Sequence, residues 1–194
     1  MKKFRKIVIV AFVLIGIIAY GVRVKAINSD LKLSEVKTYD KGEKVPFEKD
    51  FFDTSENICE GYAIKVLDKH IYTKEEFEDK YDVKVRDGLH NDYLYTVDVK
   101  IYNDNENLDE EHGINCLFLS LKSSNAYELT DIEFTVKINS LPNIKFSLKP
   151  KSDKDITLVY SLSDIYYENI EEIEDTDFKL MITEYPVKKL LCFQ

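Results

Sequence analysis

The densest set of oxygen ligands in this 194-residue chain is the loop NDNENLDEEH, Asn103–His112. Side-chain oxygens at Asn103, Asp104, Asn105, Glu106, Asn107 and Asp109 could gather around calcium, which takes roughly six to eight oxygens. An EF-hand loop needs Gly at its sixth place and Glu at its twelfth. Counted from Asn103, those places hold Leu108 and Ile114, so that motif fails. What is left is loose calcium association at Asn103, Asp104, Asn105, Asn107 and Asp109, against the plainer reading of a solvated loop rich in turn formers. No metal site is assigned on this basis.

Other reactive groups are scattered. Cys59, Cys116 and Cys192 form no CxxC pair and no Cys/His cluster with zinc spacing. One disulfide could form among the three, and the sequence does not choose the pair. Cys116, beside Ile114, Leu117 and Phe118, reads as a buried, inert thiol. His70, His90 and His112 share no helical spacing and no HExxH, and each reads as an ordinary histidine. There is no GxSxG elbow, no SxxK and no glycine-rich phosphate loop. The acidic run Glu171, Glu172, Glu174, Asp175 and Asp177 reads as a solvated surface. In Tyr166-Tyr167, one ring is expected to pack on the domain, and the other could be left for a partner. No catalytic or cofactor-binding residue is assigned, and the chain is read as a non-enzyme without a cofactor.

The segments that would have to position these groups begin with IVIVAFVLIGIIAYGV, Ile7–Val22, which carries no charge. Lys2, Lys3, Arg5 and Lys6 precede it; Arg23 and Lys25 follow. At about 1.5 Å per residue the run covers roughly 24 Å, short for a bilayer and long for a signal peptide. Flanking bases can snorkel to lengthen it. The expectation is a single-pass transmembrane helix or signal anchor with a cytoplasmic N-terminus and an extracellular C-terminal domain. The alternative is secretion after cleavage near Ala26, where Val24-Lys25-Ala26 suits a signal peptidase. All 36 acidic residues follow Ile27 against 21 basic ones, a net −15 for that part. That charge opposes nucleic acid and anionic head groups and suits cationic partners.

Beyond a polar lead-in, the pattern is of strands. GYAIKVLDKHIY alternates, and Thr73-Lys-Glu-Glu76 then fits a capping box opening a short helix. DYLYTVDVKIY, DIEFTVKIN, NIKFSLK, DITLVYSL and DFKLMITEY each place apolar residues at period two. INCLFLSL is apolar on both faces, as in a central strand, and the tail LLCF reads as an edge strand. One polar face per strand and recurring turn signals predict an antiparallel sandwich, with a barrel as runner-up.

GYAIKVLDKHIYTKEEFEDKYDV, YLYTVDVKIYNDNEN and LKPKSDKDITLVYSL resemble an uncharacterised, domain-of-unknown-function family of Gram-positive bacteria. The likeness runs through most of Val36–Leu162. It implies an N-terminal membrane segment and an exported immunoglobulin-like β-sandwich. It implies no activity, cofactor or catalytic residue.

The expected architecture is therefore all-β: an immunoglobulin-like antiparallel β-sandwich preceded by one transmembrane or signal-anchor helix, with one short helix after the first long strand. The expected segments are a basic N-terminus (1–6), the membrane helix (7–25), a stalk and lead-in (26–57) and the sandwich (58–194). The expected function is a membrane-tethered binding or structural module of the cell envelope. Its partners would be the membrane, through the helix, and another envelope or secreted protein, with no nucleic acid. The alternatives are an immunity protein against a secreted toxin or bacteriocin, and a hydrolase with a dispersed site. Oligomeric state is not legible.

Overall fold

The computed structural model describes residues 2–29, 34–52, 59–86, 92–107 and 112–194; in the first helix the described side chains are Arg5 and those of 13–28. In chain order the elements are α1 (Lys2–Ser29), β1 (Glu35–Tyr39), β2 (Val45–Pro46), β3 (Tyr62–Thr73), α2 (Lys74–Tyr81), β4 (Tyr93–Asn103) and β5 (Ile114–Asn115). A 3-10 turn (Cys116–Phe118) is followed by β6 (Ser120–Lys122), β7 (Tyr127–Glu128), α3 (Ile132–Ile138), β8 (Lys145–Phe146), β9 (Ser152–Leu162), α4 (Ile170–Asp175), β10 (Lys179–Thr183) and β11 (Val187–Leu191).

The chain divides into two compact units, Met1–Leu33 and Ser34–Gln194. In the first, the expected membrane run lies within α1, and its part before Val13 lies outside the described side chains. Among the described residues, no helix is long and apolar enough to cross a membrane.

The second unit holds a five-stranded sheet, ordered β1-β11-β10-β6-β7, and a four-stranded sheet, ordered β2-β3-β4-β9. Ile64 and Val66 of β3, Tyr95, Val97, Val99 and Ile101 of β4, and Ile156, Leu158, Tyr160 and Leu162 of β9 share one buried cluster with Leu121, Leu180, Ile182 and Leu191 of the other sheet. The two sheets thus bury their apolar faces in one core, the arrangement of a β-sandwich. Each such side chain contributes roughly 1.5–3 kcal/mol. The opposite face of β4 and β9 is also covered: Leu94 and Val159 pack with Phe77, Val83, Val85 and Phe134.

The capping box forms as its spacing predicts. Thr73 Oγ1 accepts from the Glu76 N–H, and the Glu76 carboxylate accepts from the Thr73 N–H at 2.9 Å.

Several expectations are corrected. DIEFTVKIN is the helix α3, because Asp131 caps it, accepting from the Phe134 N–H at 3.1 Å. INCLFLSL is broken rather than one central strand. The Asn115 carboxamide accepts from the Leu117 N–H at 3.2 Å and turns the chain between β5 and β6. NIKFSLK contributes only β8, paired to β5. A third short helix, α4, follows the tyrosine pair, so the unit is mostly rather than purely β. The tail strand β11 is internal, between β1 in parallel and β10 in antiparallel pairing. The lead-in supplies β1 and β2, both edge strands. All three cysteines are free thiols, and no disulfide pair is present among them.

Candidate functional site

Asn103, Asp104, Asn105 and Glu106 of the acidic loop are already engaged. Asn103 is buried, and its Nδ2 donates to Leu148 O (2.8 Å) and Tyr62 Oη (3.3 Å). Asp104 Oδ1 pairs with Lys44 Nζ at 2.8 Å, and Glu106 Oε1 with Lys151 Nζ at 2.6 Å. Asn105 folds back over Gly61, its Nδ2 donating to Glu60 O at 3.2 Å. Asn107 is exposed, and Asp109 lies outside the described residues. Two lysines therefore occupy the positions at which a cation would meet Asp104 and Glu106. Among the described residues no group of three or more His, Cys, Asp or Glu could hold a metal ion.

His70 Nε2 lies 3.7 Å from Asp68 and 3.8 Å from Asp98, beyond hydrogen-bond reach. His90 lies outside the described residues. The carbonyl of His112 accepts from Ser147 Oγ at 2.6 Å. Cys116 is fully buried, and burial pushes its thiol up to about 12. Cys59 is pushed up to about 11 for the same reason.

What the fold does bring together is an open groove of about 800 Å³ between the β6–β7 hairpin and the segment around α4. Ser123 Oγ locks the hairpin tip by accepting from the N–H groups of Asn125 (3.3 Å) and Ala126 (3.0 Å). This turn sets Tyr127 and Glu128 on the edge strand β7 as one wall. The Tyr127 ring stacks on Phe52, centroids 6.3 Å apart, which holds it upright.

The other wall comes from Tyr166, Tyr167 and α4. The backbone N–H groups of both tyrosines donate to Ser163 O, so the chain bends there and separates the two rings. Tyr167 is buried against Phe178, centroids 6.1 Å apart, whereas Tyr166 is 71% exposed. Asn169 caps α4, accepting from the Glu172 N–H at 2.9 Å. Thr176 Oγ1 closes its end on Glu172 O at 2.8 Å. Glu172, Asp175 and Asp177 thereby face the same space as Tyr127 and Glu128.

The groove's lining is acidic, with one basic group close beside it: Lys122 Nζ lies 5.6 Å from the centroid of the Tyr127 ring. Four carboxylates line it, and no basic residue is among its described lining. Asp177 is partly neutralised from outside by Lys179. Burial pushes the Glu128 carboxyl above the usual carboxylate range. Burial also raises the Tyr167 phenol, and the charges of Glu128 and Glu172 raise it further, so both walls act on one ring. With the exposed Tyr166 ring and an acidic rim, the groove can hold a cation and its apolar stem. No histidine or cysteine is among its described lining.

The sequence singled out Tyr166-Tyr167 and the acidic run separately. It did not join them to Tyr127 and Glu128, which are about forty residues distant and reach the site only through β6–β10 pairing.

A family described as "Domain of unknown function (DUF5028)" matches residues 36–189. No curated protein matches the chain. A solved structure from Clostridium difficile 630, an uncharacterized beta-sandwich protein, is 15% identical, with a TM-score of 0.46 over 85% of this chain and 100% of that one.

Proposed function

This chain belongs to the DUF5028 family, and from that premise we propose that it is a membrane-tethered, extracytoplasmic binding module whose groove receives a cationic segment of another envelope or secreted protein. The observation that carries the reading is the juxtaposition of Tyr127 and Tyr166 with Glu128, Glu172, Asp175 and Asp177, without a basic residue in the described lining. A lysine or arginine side chain laid there would exchange water for carboxylates at its head and tyrosine faces along its stem. The net −15 beyond Ile27 would steer such a partner from a distance. The tether reading rests on the uncharged run Ile7–Val22 with its basic flanks, and an immunoglobulin-like sandwich is supported by the two antiparallel-rich sheets around one core.

The test uses the full chain in detergent micelles, titrated with oligolysine and with oligoglutamate at low and at high salt. The expected result is saturable binding of oligolysine alone, weakened by salt and lost in the double variant Glu172→Lys/Asp175→Lys. Equal binding by wild type and charge-reversed protein would refute the groove reading. The tether is tested separately by adding protease to intact protoplasts of cells expressing the chain. Digestion of the domain is expected, and complete protection would refute export.

A further inference from the structure

Lys189 of β11 is among the largest fully buried side chains of the protein, with 1% of its side chain exposed. A tight turn from Pro46 to Asp50 wraps around its head. Glu48 takes a left-handed backbone (φ 57°), and the Asp50 N–H donates back to Phe47 O at 3.2 Å. Lys189 Nζ donates to Pro46 O (2.7 Å), Phe47 O (3.1 Å) and Glu48 Oε2 (2.7 Å). Asp50 Oδ2, on a residue only 7% exposed, is also 2.8 Å from that nitrogen.

An ammonium has three protons, and those three bonds use them all. Asp50 is then a fourth oxygen pressed on the same nitrogen. A charged pair held this deep loses solvation that its mutual attraction only partly returns, and a neutral amide would remove that cost. Two groups fixed at contact distance also react as if at very high local concentration.

We propose that Lys189 and Asp50 condense into an intramolecular isopeptide bond, with Glu48 carrying the proton. The ammonium gives a proton to the Glu48 carboxylate, and the freed amine attacks Asp50 Cγ. A bond forms between Nζ and Cγ, and one Cγ–O bond breaks. Of the three protons first on Nζ, one stays on the amide and two leave with the departing oxygen as water. Glu48 returns to its starting carboxylate, and nothing is oxidised or reduced. Its side chain is 63% exposed, which gives the proton and the water a path to solvent. The bond would join the turn before β3 to the final strand, so a pull between the two ends of the sandwich would load a covalent link. This proposal does not depend on the groove or on export.

The test is peptide mapping of the purified full chain, denatured and digested with trypsin. The expected product is one branched species carrying Asp50 and Lys189, lighter by one water than its two linear parts, with no cleavage after Lys189. Glu48→Gln, verified as folded by circular dichroism, should give the unlinked peptides, as should Asp50→Ala. Linear peptides and cleavage after Lys189 in the folded wild type would overturn the bond. A water loss mapped to other residues would overturn it equally. A Glu48→Gln protein linked as fully as wild type would overturn the role of Glu48.

Discussion

The Asn139 carboxamide makes both hydrogen bonds of a strand neighbour to Thr157: Nδ2 donates to Thr157 O at 2.8 Å, and Oδ1 accepts from the Thr157 N–H at 2.8 Å. Thr157 lies on β9, the edge of the four-stranded sheet. Two residues along, Val159 N–H donates to Thr135 Oγ1 at 3.0 Å, and Val159 O accepts from the Asp131 N–H at 2.7 Å. Residues 131, 135 and 139, the N-cap, the middle and the C-cap of α3, stand about one helical turn apart, so one helix face replaces a missing strand and blunts an edge open to self-pairing.

Asn139→Ala should therefore lower stability by about 1–3 kcal/mol, because two backbone groups of β9 lose their partners. It should also raise self-association through the freed edge. Urea unfolding measures the first and size-exclusion chromatography at rising concentration the second. An unchanged midpoint would mean that water replaces the amide without cost.

The same helix shows why part of the fold was not legible. Ile132, Phe134, Val136 and Ile138 alternate as a strand would, yet only Phe134 and Thr135 of that helix are buried. The deciding residues were Asp131 and Asn139, whose partners on β9 lie 18 to 30 positions downstream. By contrast, β3, β4 and β9 were legible, because long period-two runs pair in register with each other over almost their whole length. The groove was half legible. Its tyrosine pair and acidic run adjoin in sequence, whereas Tyr127 and Glu128 lie in a two-residue strand with no pattern of its own.

Gly61→Ala should destabilise the domain by about 1–3 kcal/mol. Gly61 has φ +79°, and a Cβ would run into the Asn105 carboxamide. The double variant Gly61→Ala/Asn105→Gly should recover only the steric part, since the strained backbone angle persists. Thermal melts of the two proteins separate these contributions. Full recovery in the double variant would show that the angle costs nothing.

The thiols should label in a fixed order. Cys116 is fully buried, and its raised pKa leaves almost no thiolate at neutral pH. Iodoacetamide on the native chain should spare Cys116 and reach Cys192 first, a half-buried thiol whose burial-driven rise Lys179 partly offsets. In denaturant without reductant, all three should take label, because none is in a disulfide. Mass spectrometry counts the adducts. A missing label at any of the three after denaturation would contradict the free-thiol structure.

Glu128 sets the groove's requirement against the domain's stability. Burial raises its folded-state pKa above the ordinary 4.5, so the protonated form is the better buried. The sign follows by linkage: the raised pKa contributes stability below about pH 4.5, and that contribution is lost as pH rises through the folded-state value. Glu128→Gln, which imitates the protonated acid, should therefore melt higher than wild type at pH 7. The advantage should shrink as the pH is lowered toward 4. The same variant should bind oligolysine more weakly at pH 7, because one of the four lining carboxylates is gone. Melting curves across pH, paired with titration at pH 7, test both halves. A variant that is no more stable at pH 7 would show that Glu128 is solvated in the groove. One that is more stable yet binds undiminished would move the cation's contact to Glu172 and Asp175.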